Sequence, residues 1–373
     1  MKNIALSLLG LVALSAAAQS GRTLQPSDVY RFKDISSAQI SPDGKWVAYV
    51  LSSVDTAKDR RTTDVWMVSW DGKESVQLTN SPNGESNPKW SPDGRYLSFV
   101  SSRKSGEEKE EEGSQVWIMD RRGGEARKVT NIKADIEDYD WSPDAKKILL
   151  TLREKDLSDT AKSKVRTPYV INRYQFKRDY QGYLDNRNSH LYLFDLDSKK
   201  LDTLTRGNYS ENEAAFSPDG TQIAFVSNRT QDPDKNDNTD IYLMDAKAGA
   251  QPQKLTTWEG ADGSPVWSPD GKRIAYLQSS SSQAFTMYGQ PVLAVIAKDG
   301  GQAKLLSQAA DRPVRSPRWA KDGKSIWVLM DDDRQVNLVS FSTEGVRKNI
   351  STGDRAFGSL ENNLSTNSWV ASL

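Results

Sequence analysis

A serine or cysteine nucleophile needs a general base beside it, and this chain offers one histidine, His190, and no cysteine. A hydrolase serine sits in a Gly-x-Ser-x-Gly elbow followed along the chain by an acid and a histidine. Nothing here matches that order: Gly323-Lys324-Ser325-Ile326-Trp327 lacks the closing glycine. With no elbow after it, His190 reads as structural, and no residue reads as catalytic. Asp232, Asp234, Asn236, Asn238 and Asp240 alternate like the ligands of a calcium loop. Asp237 stands where that loop needs glycine, and Leu243 where it needs its final glutamate. The segment therefore reads as a solvated hairpin loop, and neither metal nor cofactor is expected. What remains is recognition. Arg173, Tyr174, Lys177, Arg178 and Tyr183 mix charge with aromatic surface, the composition of a contact patch. The plainer reading is that Tyr174 and Phe176 anchor a long loop.

The elements that must position these residues follow from a repeat. Ser41-Pro42-Asp43-Gly44 leads into Trp46-Val47-Ala48-Tyr49-Val50, and the phrase returns at Ser91, Ser142, Ser217 and Ser268, with a weaker copy at Ala320-Lys321-Asp322-Gly323. The starts at 41, 91, 142, 217, 268 and 320 are separated by 50, 51, 75, 51 and 52 residues. Pro presets φ, Asp bonds the local backbone and Gly takes positive φ, which makes the phrase a turn. A strand-like apolar run follows each turn. A second follows that, as in Val116-Trp117-Ile118-Met119, and a short polar strand then ends at Leu78-Thr79, Val129-Thr130, Leu204-Thr205 or Leu255-Thr256. With the strand before each turn, this gives four strands per unit. The expected fold is all-β: a β-propeller of four-stranded blades, six complete blades plus part of a seventh. The aromatic residues before the turns (Trp90, Trp141, Phe216, Trp267, Trp319) are expected to pack between blades.

Lys plus Arg balance Asp plus Glu at 50 each, so no electrostatic excess draws the chain to nucleic acid or anionic lipid. Lys2, an apolar run over residues 4–14 and Ala16-Ala17-Ala18 have the order of a signal peptide cleaved before Gln19. The run is too short to span a bilayer, which takes about 20 residues. Without a lipid-attachment cysteine, the mature chain is expected to be periplasmic or secreted and free of the membrane. The glutamate-rich run at 107–112 reads as a solvated tip, and residues 279–282 as an exposed linker.

The Trp-Ser-Pro-Asp-Gly phrase followed by a strand such as Ile223-Ala224-Phe225-Val226-Ser227-Asn228-Arg229 resembles the TolB-type propeller repeat. That repeat occurs in TolB and in the N-terminal propellers of prolyl oligopeptidase family serine peptidases. The 75-residue step holds an insertion at 153–189 containing Arg166-Thr167-Pro168-Tyr169, Arg173-Tyr174-Gln175-Phe176-Lys177 and Gly182-Tyr183-Leu184. It looks like the insertion of the dipeptidyl-peptidase and acylaminoacyl-peptidase branch, as does the opening Leu24-Gln25-Pro26-Ser27-Asp28-Val29. The resemblance implies a gate and substrate filter for peptides, capping a C-terminal α/β-hydrolase domain, with Arg173, Tyr174, Lys177, Arg178 and Tyr183 as gating or domain-contact residues. It also implies a chain silent by itself. A TolB-like periplasmic protein-binding propeller without enzymatic role is the alternative.

The expected organisation is a signal peptide at 1–18, a lead-in at 19–32 and the propeller at 33–373. Residues 364–371 look like a decayed blade start, and a chain that continues into the hydrolase domain is expected. Residues 22–32 could supply one strand to the unfinished blade. A ring closed by residues 354–373, with Trp369-Val370-Ala371 pairing with the first blade, is the rival arrangement.

Overall fold

The local chemistry of the Ser-Pro-Asp-Gly turn sets the plan of the whole molecule. In the computed structural model, which describes residues 22–104, 113–154, 170–179, 181–283 and 289–373, the turn has one wiring in five blades. The serine hydroxyl donates to the aspartate two residues on, at 2.6 Å for Ser41 to Asp43 and 2.5 Å for Ser268 to Asp270. The same hydroxyl accepts from the amide that opens the next strand, as from Trp46 at 2.9 Å and Tyr96 at 2.8 Å. Such bonds hold the charged carboxylate: the Ser217 hydroxyl first, then the Thr221 amide and hydroxyl, pull Asp219 down to about 2. The expected signal peptide at 1–18, the run at 107–112 and residues 155–169 of the insertion lie outside the described residues.

Each turn joins the first and second strands of a four-stranded antiparallel sheet built from consecutive strands. Six such blades begin at Asp34–Ile40, Glu85–Trp90, Asp135–Trp141, Glu211–Phe216, Asp262–Trp267 and Val314–Trp319. A two-stranded sheet, Ser359–Asn363 with Ser368–Ser372, follows the sixth. The first strand of every sheet touches the first strand of the next, and Ser359–Asn363 touches those of both the sixth and the first blade. The last sheet therefore occupies a seventh position around the axis. Val370 pairs with Glu361 inside that sheet, so the pairing of Trp369-Val370-Ala371 with the first blade, which the rival arrangement would use, does not form.

Six apolar clusters make the core, and each joins neighbouring sheets. The aromatics before the turns are central to them. Trp90, Trp141, Trp267 and Trp319 are buried, and their indole N–H groups reach back to the preceding blade, at Gln39 O, Ser98 Oγ, Ala215 O and Val266 O. One blade cannot cover both of its faces, so the stack of neighbours supplies the buried area. At the outer edge, the hydroxyls of Thr79, Thr130, Thr205, Thr256, Ser307 and Ser351 each accept from an amide of the third strand, at 2.8–3.0 Å.

Two expectations need correction. Residues 22–32 add no strand. Pro26–Arg31 forms a 3-10 helix against the second strand of the first blade, with Asp28 buried under Arg22. Proline at its start and the Asp28 carboxylate on the Gln25 amide cap a turn instead of extending the backbone. Residues 279–282 are not simply an exposed linker either: Ser279 ends the strand Arg273–Ser279, and Ser279 and Ser281 are half-buried.

Candidate functional site: the charged belt and the insertion face

The inner strands carry a shared irregularity that shapes the axis. In blades one, two, four, five and six the register breaks at Ser37, Asn87, Glu213, Ser264 and Ser316, each with φ between 51° and 54°. These are bulges, which turn a strand sharply and re-aim its side chains. A non-glycine residue in this conformation stores about 1–3 kcal/mol of strain, offset here by bonds between blades. The Asn87 amide donates to Asp138 at 2.8 Å, and the Glu213 carboxylate accepts from the Ser264 amide.

Beyond the bulges, the residue just before the turn aromatic is charged in three blades and apolar, packed against core clusters, at Ala215 and Val266. Lys89, Asp140 and Arg318 hold that position in blades two, three and six. Lys89 Nζ lies 3.4 Å from Asp138 and 3.8 Å from Asp140, and it donates to the Tyr139 carbonyl. Arg318 grips Glu361 of the last sheet with two bonds, at 2.6 and 3.2 Å. Burial works against the Lys89 charge, yet Asp140 and Asp138, with Glu361 adding, hold its pKa above the usual lysine value. Burial pushes Asp140 up, with Asp138 and Glu361 adding and Lys89 opposing. Water still reaches these groups, since the Asp138 and Asp140 side chains keep 45% and 38% of their exposure. The result is an alternating belt of charge able to attract and orient polar chains.

None of the five recognition residues lies in that belt. The described part of the insertion is a small hairpin in which Lys177 pairs with Tyr183 and Arg178 with Gly182. Arg173 anchors it by a 2.7 Å ion pair to Asp234, on the 3-10 turn Pro233–Lys235 of blade four, and by a bond to Asp185 O. The same Asp234 carboxylate accepts from the backbone amides of Tyr174 and Gln175. Arg178 bonds Gln175, and Phe176 and Tyr183 face each other with ring centroids 6.5 Å apart. Tyr174, Phe176 and Tyr183, with Val170 and Ile171, are exposed. Arg173 is thus an anchor, and the aromatic groups form the outward surface. The calcium-like alternation resolves the same way: Asp234 serves the insertion and Asn236 braces the loop through Asn228.

His190 is buried, with Nδ1 2.9 Å from Glu211, which also takes the Thr205 hydroxyl at 2.7 Å and Arg229 at 2.8 Å. Its other ring nitrogen, Nε2, lies 3.7 Å from Glu154, so both nitrogens face carboxylates.

Sequence reasoning missed the charged belt. The signal was present, because strand alternation puts the residue before a buried tryptophan on the opposite face, and Lys89, Asp140 and Arg318 all sit there.

The fold is a β-propeller of six four-stranded blades followed by a two-stranded sheet, and residues 19–170 match the family model described as the TolB beta propeller domain. Its relatives by sequence are peptidases. The chain is 32% identical over 233 residues to an uncharacterized peptidase, YuxL, of Bacillus subtilis, covering 60% of this chain and 34% of that protein. It is 26% identical over 371 residues to dipeptidyl-peptidase 5 of Porphyromonas gingivalis, covering 92% of this chain and 52% of that one. The chain thus spans a third to about half of the length of these relatives. Among solved structures, acylaminoacyl peptidase of Pyrococcus horikoshii shares the fold with a TM-score of 0.67 at 17% identity, over 89% of this chain and 48% of that one. The propeller domain of the Trilobed protease from Pyrococcus furiosus, described as having an open velcro topology, gives 0.60 at 18% identity, over 89% of this chain and 87% of that domain.

Proposed function

We propose that this chain is the propeller portion of an exported prolyl-oligopeptidase-type serine peptidase, gating and filtering peptides for an α/β-hydrolase domain and catalytically silent by itself. The observation that carries this reading is the match to a dipeptidyl-peptidase along 92% of the chain. The charged belt offers ammonium and carboxylate groups to the ends of a peptide. The exposed surface of Tyr174, Phe176 and Tyr183 with Lys177 and Arg178 is the contact face for substrate or for the hydrolase domain, as aromatic groups beside charges favour. The mature chain begins at Gln19, which fits the small residues before it.

The purified chain should remain unlabelled by a fluorophosphonate probe and should not cleave dipeptidyl chromogenic substrates. Stoichiometric labelling of any serine would overturn its silence. Translation of the DNA after codon 373 should give Gly-x-Ser-x-Gly followed by Asp and His within about 250 residues, the upper size of one domain. An unrelated gene directly after a stop codon would promote the reading as a protein-binding propeller without chemistry.

A further inference from the structure

The last sheet has two strands where every blade before it has four. Ser359–Asn363 holds the innermost position and Ser368–Ser372 the second, so the second strand offers an unpaired backbone edge. An open edge is a template for another strand, and proteins blunt such edges by keeping them short and charged. The six blades do so: their outer strands are two or three residues long, and five of them carry a charge. Ser368-Trp369-Val370-Ala371-Ser372 has five residues and no charge. Its composition is that of a strand inside a sheet, such as Gln222–Ser227.

The neighbouring face of blade one is open in the matching place. Val65, Met67 and Ala48 pack against blade two, so strand alternation turns Tyr49, Trp66 and Val68 towards the last sheet. Tyr49 stands eight residues after the turn serine, where the other blades have Phe99, Leu150, Phe225, Tyr276 and Val328. Those five are fully buried, each in a cluster with the blade before it. Tyr49 is only half-buried, as are Trp66 and Val68. Across the gap, Trp369 stacks on Trp327 of blade six at 4.0 Å, but Leu338 on the next strand of that blade stays partly uncovered. A free strand edge and two apolar walls therefore border one gap.

We propose that the polypeptide just after Leu373 fills this gap as two further antiparallel strands, completing a seventh blade before the hydrolase portion begins. The proposal rests on the peptidase reading in one respect, that the chain continues. The link to a third strand is short elsewhere in the ring, residues 56–59 in blade one and Asp333 with Arg334 in blade six. A strand starting within a few residues of Ser372 therefore reaches the open edge directly. The relatives leave room for it, since the chain spans a third to about half of their length. The incoming strands need apolar side chains on both faces, one set for Tyr49, Trp66 and Val68 and the other for Leu338. About 30 residues suffice, the balance of a blade of about 40–50.

The chain has no cysteine, so Val68→Cys reports on this face through its rate of maleimide labelling, read at that residue by mass spectrometry. Two lengths are compared: this chain, and the same chain continued through about 40 further codons of its gene, short of any hydrolase domain. Labelling should be at least tenfold slower in the longer chain. Val76→Cys, exposed on the outer strand of blade one, should label equally in both. Equal labelling of Val68→Cys in the two lengths overturns the proposal, as does a stop codon directly after codon 373. The peptidase reading is scored separately, by the Gly-x-Ser-x-Gly further downstream. Protection without that elbow supports the blade and overturns the peptidase, and equal labelling with the elbow does the reverse. If Val68→Cys does not fold, melting of the two unsubstituted chains decides. A higher melting temperature for the longer one supports the blade, and no rise overturns it.

Discussion

The side-chain amide of Asn363 donates to the backbone carbonyl of Ser41 at 2.6 Å, joining residues 322 positions apart. Ser41 opens the first blade's turn, and Asn363 ends the inner strand of the last sheet. Around the rim, each turn glycine otherwise faces the proline of the turn before it: Gly94 against Pro42, Gly220 against Pro143, Gly271 against Pro218, Gly323 against Pro269. Gly44 faces Thr366, so the last sheet completes the circle with a different residue in the proline's place.

That seam is testable at Gly44. A Cβ there would stand 2.8 Å from Thr366 Cγ2 and 3.0 Å from its Cβ and Oγ1, so rotating the threonine does not clear it. Gly72 has nearly the same φ, 73° against 70°, with nothing within 4 Å. Gly44→Ala should therefore cost about 1–2 kcal/mol more than Gly72→Ala, since the strain of positive φ, roughly 1 kcal/mol, is common to both. Urea unfolding of the two variants measures the difference, and equal losses would mean a slack seam.

Trp319 offers a second test. It is among the largest fully buried side chains, and its N–H reaches Val266 O at 3.0 Å. Trp319→Ala should lose about 3–5 kcal/mol, while Trp319→Phe keeps most of the packing and loses the hydrogen bond, about 1 kcal/mol plus a small cavity. A phenylalanine variant as damaged as the alanine one would place the stabilisation in the bond and not the packing.

The insertion should detach without unfolding the ring. Asp234→Asn breaks the pair with Arg173, and brief proteolysis should then cut residues 170–189 several-fold faster, while global stability moves by no more than about 1 kcal/mol. Burial alone would raise the Asp234 pKa, but Arg173 and the Gln175 and Tyr174 amides outweigh it and hold it low. A depressed carboxylate contributes its stabilisation above the unfolded value near 4 and loses it as pH falls through the folded value. Protease resistance at neutral pH should therefore decline only below about pH 4. Unchanged cleavage in the variant would relieve Asp234 of the anchoring role.

Asp262 has the opposite sign. Burial pushes its pKa up to about 7, Asp240 adds to this, and Thr256 and Lys254 oppose it without satisfying its oxygens. Tyr276 and Lys254 are the other titratable groups coupled to it. The folded state holds its proton while the unfolded chain loses it near pH 4, so the protein should lose stability between about pH 4 and 7 and gain nothing back above. The full penalty is at most ~4 kcal/mol. Asp262→Asn should flatten that slope and melt higher at pH 8. A wild-type slope that persists in the variant would move its origin to another group.

The parts of this fold that were legible in the sequence are those decided within a few residues. Ser41, Pro42, Asp43 and Gly44 close their turn among themselves, and Trp90 or Trp319 can only be core. What escaped depends on neighbours far along the chain. The bulge residues Ser37, Asn87, Glu213, Ser264 and Ser316 share a backbone angle but mix serine with asparagine and glutamate, so no single residue type marks the position. Asp28 capping its own helical turn outweighed the strand-like look of the lead-in. Ser279 and Ser281 read as linker because the serine run hides a second strand that continues one residue further than those ending at Ser101 and Ser227.

Every four-stranded blade is made from one unbroken stretch of chain, and among the described residues the first and last sheets meet through side chains and turns, not a shared ladder. The molecule is therefore a strip bent until its ends touch. Opening it at Asn363 and Ser41 would cost contacts but no backbone pairing, whereas parting any blade internally would break a strand ladder. Strain applied to the rim would concentrate at that one joint, and the ring is built to part there first.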